Sequence, residues 1–338
     1  MLAGELWDHA AYTLCHKGIL MRTSPFEHIV VVGAGAVGSF FGAMLARAGH
    51  QVTLIGRPAH VKAIQRHGLQ LDLAHAAVVE TVRLDASTDL AALRTADLVL
   101  FCVKSTDTSA LAHSMAAHVA PQAIIMSLQN GVENVALISS ELPNPVIPTV
   151  VYVATEMAAP GCIKHHGRGE LLIGSLQACR LDNAPEAFAR IVELFSSAQV
   201  PVHISQNVMA DLWSKLLINC VLNAISGLTQ TSYGQLAAVH AIGTTQSALV
   251  REVLAVARAD GTALDEATAL QAVAHIGKTM AGQKSSTAQD MARHKLSEIQ
   301  HLNGFVVRRG QALGVPTPVN QAMYALVKLV ESTYSVQG

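Results

Sequence analysis

Three polar residues, Lys215, Asn219 and Asn223, interrupt the apolar run WSKLLINCVLN. Residues four apart on a helix stack one above the other, so these three form a stripe drifting through only about 80° of arc. Leu216, Leu217, Ile218, Cys220, Val221 and Leu222 fill the other faces, which predicts a helix buried nearly all round. Lysine is costly to bury unpaired, and asparagine is a mediocre helix former. A solvated face normally mixes Glu, Arg and Lys, whereas this line holds one cation and two neutral amides. The two readings are a solvent-facing stripe and a cleft wall; the narrowness of the line favours the cleft, with something polar opposite it.

A second constellation lies near the N-terminus. The segment HIVVVGAGAVGSFFGAMLARAGHQVTLIGR (28–57) runs as an apolar stretch, a glycine turn, a helix and a second apolar stretch, one βαβ unit. In that context Gly33 permits the tight turn, Gly35 lets the backbone approach a pyrophosphate and Gly38 allows the helix to pack closely on its strand. The helix N-terminus then holds the phosphates. An NAD-binding unit ends its second strand with an acid that accepts the ribose hydroxyl. Here that position falls at Gly56 or Arg57, and no acid occurs between Ser39 and Leu71. Arg57 is either a solvated surface cation or a clamp on a ribose phosphate, and the missing acid favours NADP. Lys104 follows LVLFCV and Asn130 follows IIMSLQ, so both sit at strand C-terminal ends, where open α/β sheets bind ligands.

The elements that must carry these residues follow from the pattern. Strands are expected at 96–104, 123–131 and 146–154, with LQLDLA and VVETVRLD as a short hairpin. A hairpin-like GCIKHHGRGELLIGS, a helix around 183–198 and a strand at VPVHIS close the first pattern. From Gln206 onward the chain reads helical, the stripe helix beginning near Met209 and a later one running from about Ser286 to Leu313. The expected fold class is α/β: a Rossmann-type doubly wound N-terminal domain (28–206, NADP-binding) followed by an all-helical C-terminal domain (207–338, substrate and dimerisation). Residues 1–27, which carry Glu5 and Asp8 and no sustained apolar core, read as an N-terminal extension and not as a signal peptide.

Composition sets further bounds. Two domains suit 338 residues. Charged residues are only 14% of the chain, about half the usual share, so a partner subunit is expected to cover apolar surface and a homodimer is plausible. A net charge of −1 leaves no electrostatic footprint for nucleic acid or an anionic membrane. Five scattered cysteines, none in a CxxC pair, fit a reducing compartment, by default the cytoplasm. Sixteen histidines without an HExxH predict no metal site.

GAGAVG at 33–38, CVKSTD around Lys104, LQNGVEN around Asn130, LWSKLLINCVLN and SSTAQDMARHKLSEIQHLNGFVVRRG at 285–310 together resemble the ketopantoate reductase (2-dehydropantoate 2-reductase) family, from about residue 28 to the end of the chain. The resemblance implies NADPH-dependent reduction of a 2-keto acid, with Lys215 as proton donor and Glu298 closing the site against the cofactor. It further implies that Asn219, Asn223, Ser286 and Asn130 contact substrate. NADPH would be held by Gly33, Ala34, Gly35, Ala36, Val37, Gly38, Arg57, Lys104, Asn130 and Glu298. Ser286 and Gln289 are also spaced as a capping box, a structural role that can coexist with the other. A lysine on an apolar helix should have its pKa lowered by desolvation and restored by Glu298.

Two positions depart from the family pattern. Tyr233 stands where a substrate-contacting asparagine is usual, and Asp107 where glutamine is frequent. Tyr233 keeps open a related 2-hydroxyacid dehydrogenase with another substrate; a non-catalytic NADP sensor would be expected to break the Lys215 stripe, which is intact.

Arg57→Asp should reverse the cofactor preference, because it replaces a phosphate clamp with a phosphate repeller that accepts a ribose hydroxyl. A charged hydrogen bond is worth roughly 1.5–3 kcal/mol, so NADPH affinity should fall about tenfold to a hundredfold. Titration with NADPH and NADH checks this, and an unchanged ratio would remove Arg57 from the phosphate site.

Overall fold

The computed structural model describes residues 26–74, 76, 78–176 and 184–334. The extension expected at 1–27 therefore lies outside the described residues, except that Phe26 is buried in the first domain's core and the Glu27 amide donates to Asp97.

The strands are β1 (His28–Val32), β2 (Gln51–Ile55), β3 (Leu69–Leu73), β4 (Glu80–Val82), β5 (Asp85–Ser87), β6 (Leu98–Phe101), β7 (Ile124–Ser127), β8 (Val146–Ala159), β9 (Cys162–Ile173) and β10 (Val202–Ile204). Their helices are α1 (Ala36–Arg47), α2 (Pro58–His67), α3 (Thr108–Met115), α4 (Asn134–Glu141) and α5 (Ala184–Ser197). The sheet order is β4-β3-β9-β8-β7-β6-β1-β2-β5, with β10 pairing β9. From β5 to β8 every neighbouring pair is parallel. Such strands are buried on both faces, which is why VVV and LVLF read as unbroken apolar runs. One apolar cluster covers the α1 and α5 face, a second the α3 and α4 face. The chain winds from β1 toward β2 and later from β6 toward β8, so the switch point lies between β1 and β6, where open α/β sheets hold ligands.

Beyond β8 the sheet turns mixed. β8 and β9 form a long antiparallel hairpin whose pairing is irregular in three places, and β3 and β4 make the expected short hairpin.

The second domain comprises α6 (Val208–Thr229), α7 (Tyr233–Ala237), α8 (His240–Ala259), α9 (Glu266–Thr279), α10 (Ser286–Ala292), α11 (Asn303–Leu313) and α12 (Pro318–Ser332). α6 is long and apolar enough to cross a membrane, but it is the central helix of a bundle. Trp213, Leu216, Leu217, Cys220 and Val221 are buried there against α8 and α11 residues such as Val250, Val253 and Phe305. Val150 of β8 packs on Val208 and Leu212 of α6, joining the two domains at the base of the stripe.

One expectation is corrected. No single helix spans 286–313: α10 ends at Ala292, His294 adopts a left-handed φ of 51°, and a one-turn 3-10 helix at Ile299–His301 precedes α11. The intervening segment is held by tertiary bonds instead of a helix ladder. The Ser297 amide and hydroxyl both donate to the buried Glu331 carboxylate of α12, at 2.8 and 2.6 Å.

Candidate active site

The glycine loop follows β1 directly. The Gly33 and Ala34 amides both donate to Ile55 O at the end of β2, and Gly33 takes φ 95°. A Cβ on Gly33 would lie 2.6 Å from Val103 N, and one on Gly38 would lie 2.5 Å from Gly33 O. At Gly35 the same atom would meet nothing within 4 Å. Backbone is thus packed tightly behind the loop and open in front of it. The N-terminus of α1, which begins at Ala36 and Val37, has no side-chain cap and no acid in its first turn, leaving a positive dipole end free for an anion. Arg57 is exposed at the end of β2, and Gly56 beside it packs against Ala34. These residues fit a dinucleotide phosphate.

α6 supplies the stripe. Asn207 caps it, its Oδ1 accepting from the Ala210 amide at 3.2 Å. Lys215 Nζ donates to Val151 O of β8 and stands 5.7 Å from the centroid of the Tyr152 ring. Asn219 is half-buried and Asn223 buried. Neither side-chain amide has a hydrogen-bond partner among the described residues, so both remain available to a ligand. Desolvation lowers the Lys215 pKa to about 8, Glu298 acting to raise it and Arg168 to lower it further. Burial disfavours the ammonium, and one carboxylate opposes that loss.

Glu298 crosses between the domains. Its Oε1 accepts from the Ser105 amide at 2.8 Å and its Oε2 from Asn130 Nδ2 at 3.3 Å. Asn130 is fixed in turn, its carbonyl accepting from Ser105 Oγ and Asn134 Nδ2. Lys104 sits at the expected end of β6, but its ammonium reaches across to Asp290 Oδ2 and Leu296 O, both at 2.9 Å. Burial pushes the Asp290 carboxyl up and Lys104 holds it back. Lower in the seam, Glu133 pairs with His301 at 2.7 Å and with Arg308 at 3.3 Å.

The capping box at Ser286 is a second correction. The cap is Ser285, whose Oγ accepts from the Ala288 amide. Ser285 Oγ also reaches Asn223 O and its amide reaches Ser226 Oγ, each at 3.3 Å, docking the start of α10 on the end of the stripe. Ser286 is exposed beside it and free of the capping role.

Sequence reasoning missed Ser105, Asp290, Tyr152 and Arg168. Ser105 acts through its backbone amide, which residue type does not reveal, although Ser105 and Asp290 both lie inside motifs that pointed to their neighbours.

Comparison with known proteins places the chain in a family. Residues 29–178 match the family described as ketopantoate reductase PanE/ApbA, and residues 207–331 match its C-terminal domain. The chain is 30% identical to a 2-dehydropantoate 2-reductase of Vibrio cholerae, over 91% of this chain and 99% of that protein. A crystal structure of a PanE/ApbA family ketopantoate reductase from Ralstonia eutropha JMP134 is 47% identical, with a TM-score of 0.83 over 91% of this chain and 99% of that one. A D-mandelate dehydrogenase solved with NADH and anilino(oxo)acetate, 24% identical, shares the fold with a TM-score of 0.84 over 91% and 100% of the two chains.

If Lys215 acts as a charged donor, turnover should be sustained below pH 8 and fall as pH rises through it. Glu298→Gln removes the charge that favours the ammonium, so the alkaline limb should move to lower pH and turnover at pH 7 should drop. A kcat profile from about pH 6 to pH 10 checks the sign; an unmoved limb would show that Glu298 does not tune the lysine.

Proposed function

The chain belongs to the ketopantoate reductase family, and on that premise we propose that it reduces 2-dehydropantoate to (R)-pantoate with NADPH, a step of pantothenate biosynthesis. The observation that carries the reading is Lys215, a desolvated ammonium on the helix that also carries two unpaired amides, under the electrostatic influence of the Glu298 carboxylate. Gly33, Ala34, Gly35, Ala36, Val37 and Gly38 would cradle the pyrophosphate, and Arg57 would take the ribose phosphate. NADPH, when bound, supplies a hydride to the ketone carbon. Lys215 Nζ gives its proton to the ketone oxygen, so the C=O becomes CH–OH and the lysine is left neutral. Glu298 keeps Nζ protonated beforehand. Asn219 and Asn223 orient the substrate's oxygens without adding charge, and Ser286 extends that polar edge. Glu298, bonded to Ser105 and Asn130, seals the helical domain against the nucleotide domain and excludes water.

Tyr233 supports a second reading, reduction of a different 2-keto acid. It lies on the first turn of α7, partly buried against the helical core, where burial pushes its phenol up to about 12. A phenol in place of an amide adds bulk and replaces an amide contact with a hydroxyl.

A screen of 2-keto acids against NADPH and NADH, followed by absorbance, separates the two. Best turnover of 2-dehydropantoate with NADPH is expected, and none on any 2-keto acid would refute the reading. Lys215→Ala should lower turnover by roughly a hundredfold to ten-thousandfold and leave NADPH affinity nearly intact, since the nucleotide residues lie on the other domain. Near wild-type turnover in that variant would return the stripe to architecture.

The proposal extends to a homodimer closed through the helical domain, where α12 exposes Leu326, Leu329 and Val330 on a chain with few charges. It also extends to a reducing compartment, the cytoplasm, on the free thiols of Cys102, Cys162 and Cys220. Light scattering at micromolar concentration should give twice the chain mass; a monomer would reject the dimer.

A further inference from the structure

The residues assigned so far leave one charge unanswered. A 2-keto acid carries a carboxylate bonded directly to the ketone carbon, so a group that receives it must stand beside the proton donor. Asn219, Asn223 and Ser286 are neutral, and Lys215 is committed to the ketone oxygen. A second cation would answer that charge directly, and β9 holds one.

Arg168 lies in the sequence Gly-Arg-Gly with φ 61°, flanked by Gly167 at 130° and Gly169 at 155°. An arginine in the left-handed region is strained, and such residues persist where their surroundings over-determine them, often at functional sites. The hairpin pairing shows what the strain achieves. Tyr152 pairs with Glu170, but Val153 pairs with Arg168, so Gly169 is skipped as a bulge. Without it Arg168 would lie one pair farther from Tyr152. Bulges re-aim side chains in this way. The guanidinium carbon consequently stands 4.4 Å from the centroid of the Tyr152 ring, the same ring that Lys215 Nζ approaches at 5.7 Å. Two cations that would repel each other are thus held at one aromatic ring, whose π-face attracts both.

The hydrogen bonding of Arg168 is incomplete. Its Nε donates to Glu170 Oε2 at 3.2 Å, and its two terminal nitrogens have no hydrogen bond among the described residues. The side chain is 43% exposed. That leaves donors for a planar carboxylate, the geometry arginine matches best. The other charged groups facing this corner are Glu170 on β9, Asp211 on α6 and Glu298. Glu170 already holds the guanidinium, Asp211 is bonded to Ser205 Oγ and Glu298 is bonded to Ser105 and Asn130, so no acid occupies the free nitrogens.

We propose that Arg168 is the carboxylate anchor of this site, its guanidinium binding the carboxylate of the 2-keto acid while Lys215 addresses the adjacent ketone oxygen. The assignment rests on the reductase reading above and makes Arg168 a determinant of the substrate class, 2-keto acids over neutral ketones.

The test compares 2-dehydropantoate with its carboxamide, in which the carboxylate is replaced by a neutral amide. Arg168→Gly suits the left-handed backbone, and Arg168→Lys keeps a charge without the fork. With Arg168→Gly, KM for the acid should rise about tenfold to a hundredfold, while kcat/KM for the carboxamide and NADPH affinity stay near wild type. Arg168→Lys should fall between. The alkaline limb of kcat should also move to higher pH in Arg168→Gly, because a neighbouring positive charge is lost. Equal losses on acid and carboxamide, or an unmoved KM for the acid, would overturn the anchor while wild-type turnover leaves the reductase reading standing. Wild-type protein inactive on every 2-keto acid would remove both.

Discussion

Keeping one ammonium charged at the seam between an apolar helical bundle and the sheet is the constraint around which the rest is arranged. Lys215 projects from a helix whose neighbouring positions are core, and desolvation there acts against its charge. A carbonyl of β8, an aromatic face and one carboxylate compensate in part. Full compensation would return the lysine to its ordinary range and make it a poor acid at neutral pH. None would leave it neutral and without a proton to give. The balance lies between, with a pKa of about 8, where a proton donor is most effective.

The groups that set this balance come from both domains. Lys215 belongs to the helical domain but rests on β8 of the nucleotide domain, and Glu298 makes the reverse crossing to Ser105 and Asn130. Lys104 with Asp290, and Glu133 with His301 and Arg308, tie the same seam at other heights. The pKa of Lys215 therefore depends on contacts from both domains. Because Glu298 is steered by Ser297 on Glu331, even the buried face of α12 contributes to holding the tuning carboxylate.

The parts legible in the sequence were those written in spacing. The stripe followed from residues four apart, the glycine loop from its position between two apolar runs, and the placement of Arg57 at the end of β2 from the second of those runs. What remained hidden was set by tertiary contacts. No Gly or Pro occurs between Ser286 and Asn303, so nothing local signals the break in that segment; Glu331 and Lys104 hold it from outside. The cap fell on Ser285 instead of Ser286 because both serines fit the local pattern and only docking on Asn223 and Ser226 distinguishes them. Arg168 had a trace, its flanking glycines, but a bulge is defined by the partner strand and is invisible in one strand alone.

The protonation of Lys215 can be followed directly. Lysine side chains labelled with nitrogen-15 can be followed by NMR across the alkaline range, with the Lys215 signal identified by its loss in a Lys215→Ala sample. A midpoint at about 8 is expected. A midpoint near the ordinary 10.5 of lysine would mean that the ammonium is solvated, and that Lys215 is not a desolvated donor held charged by Glu298.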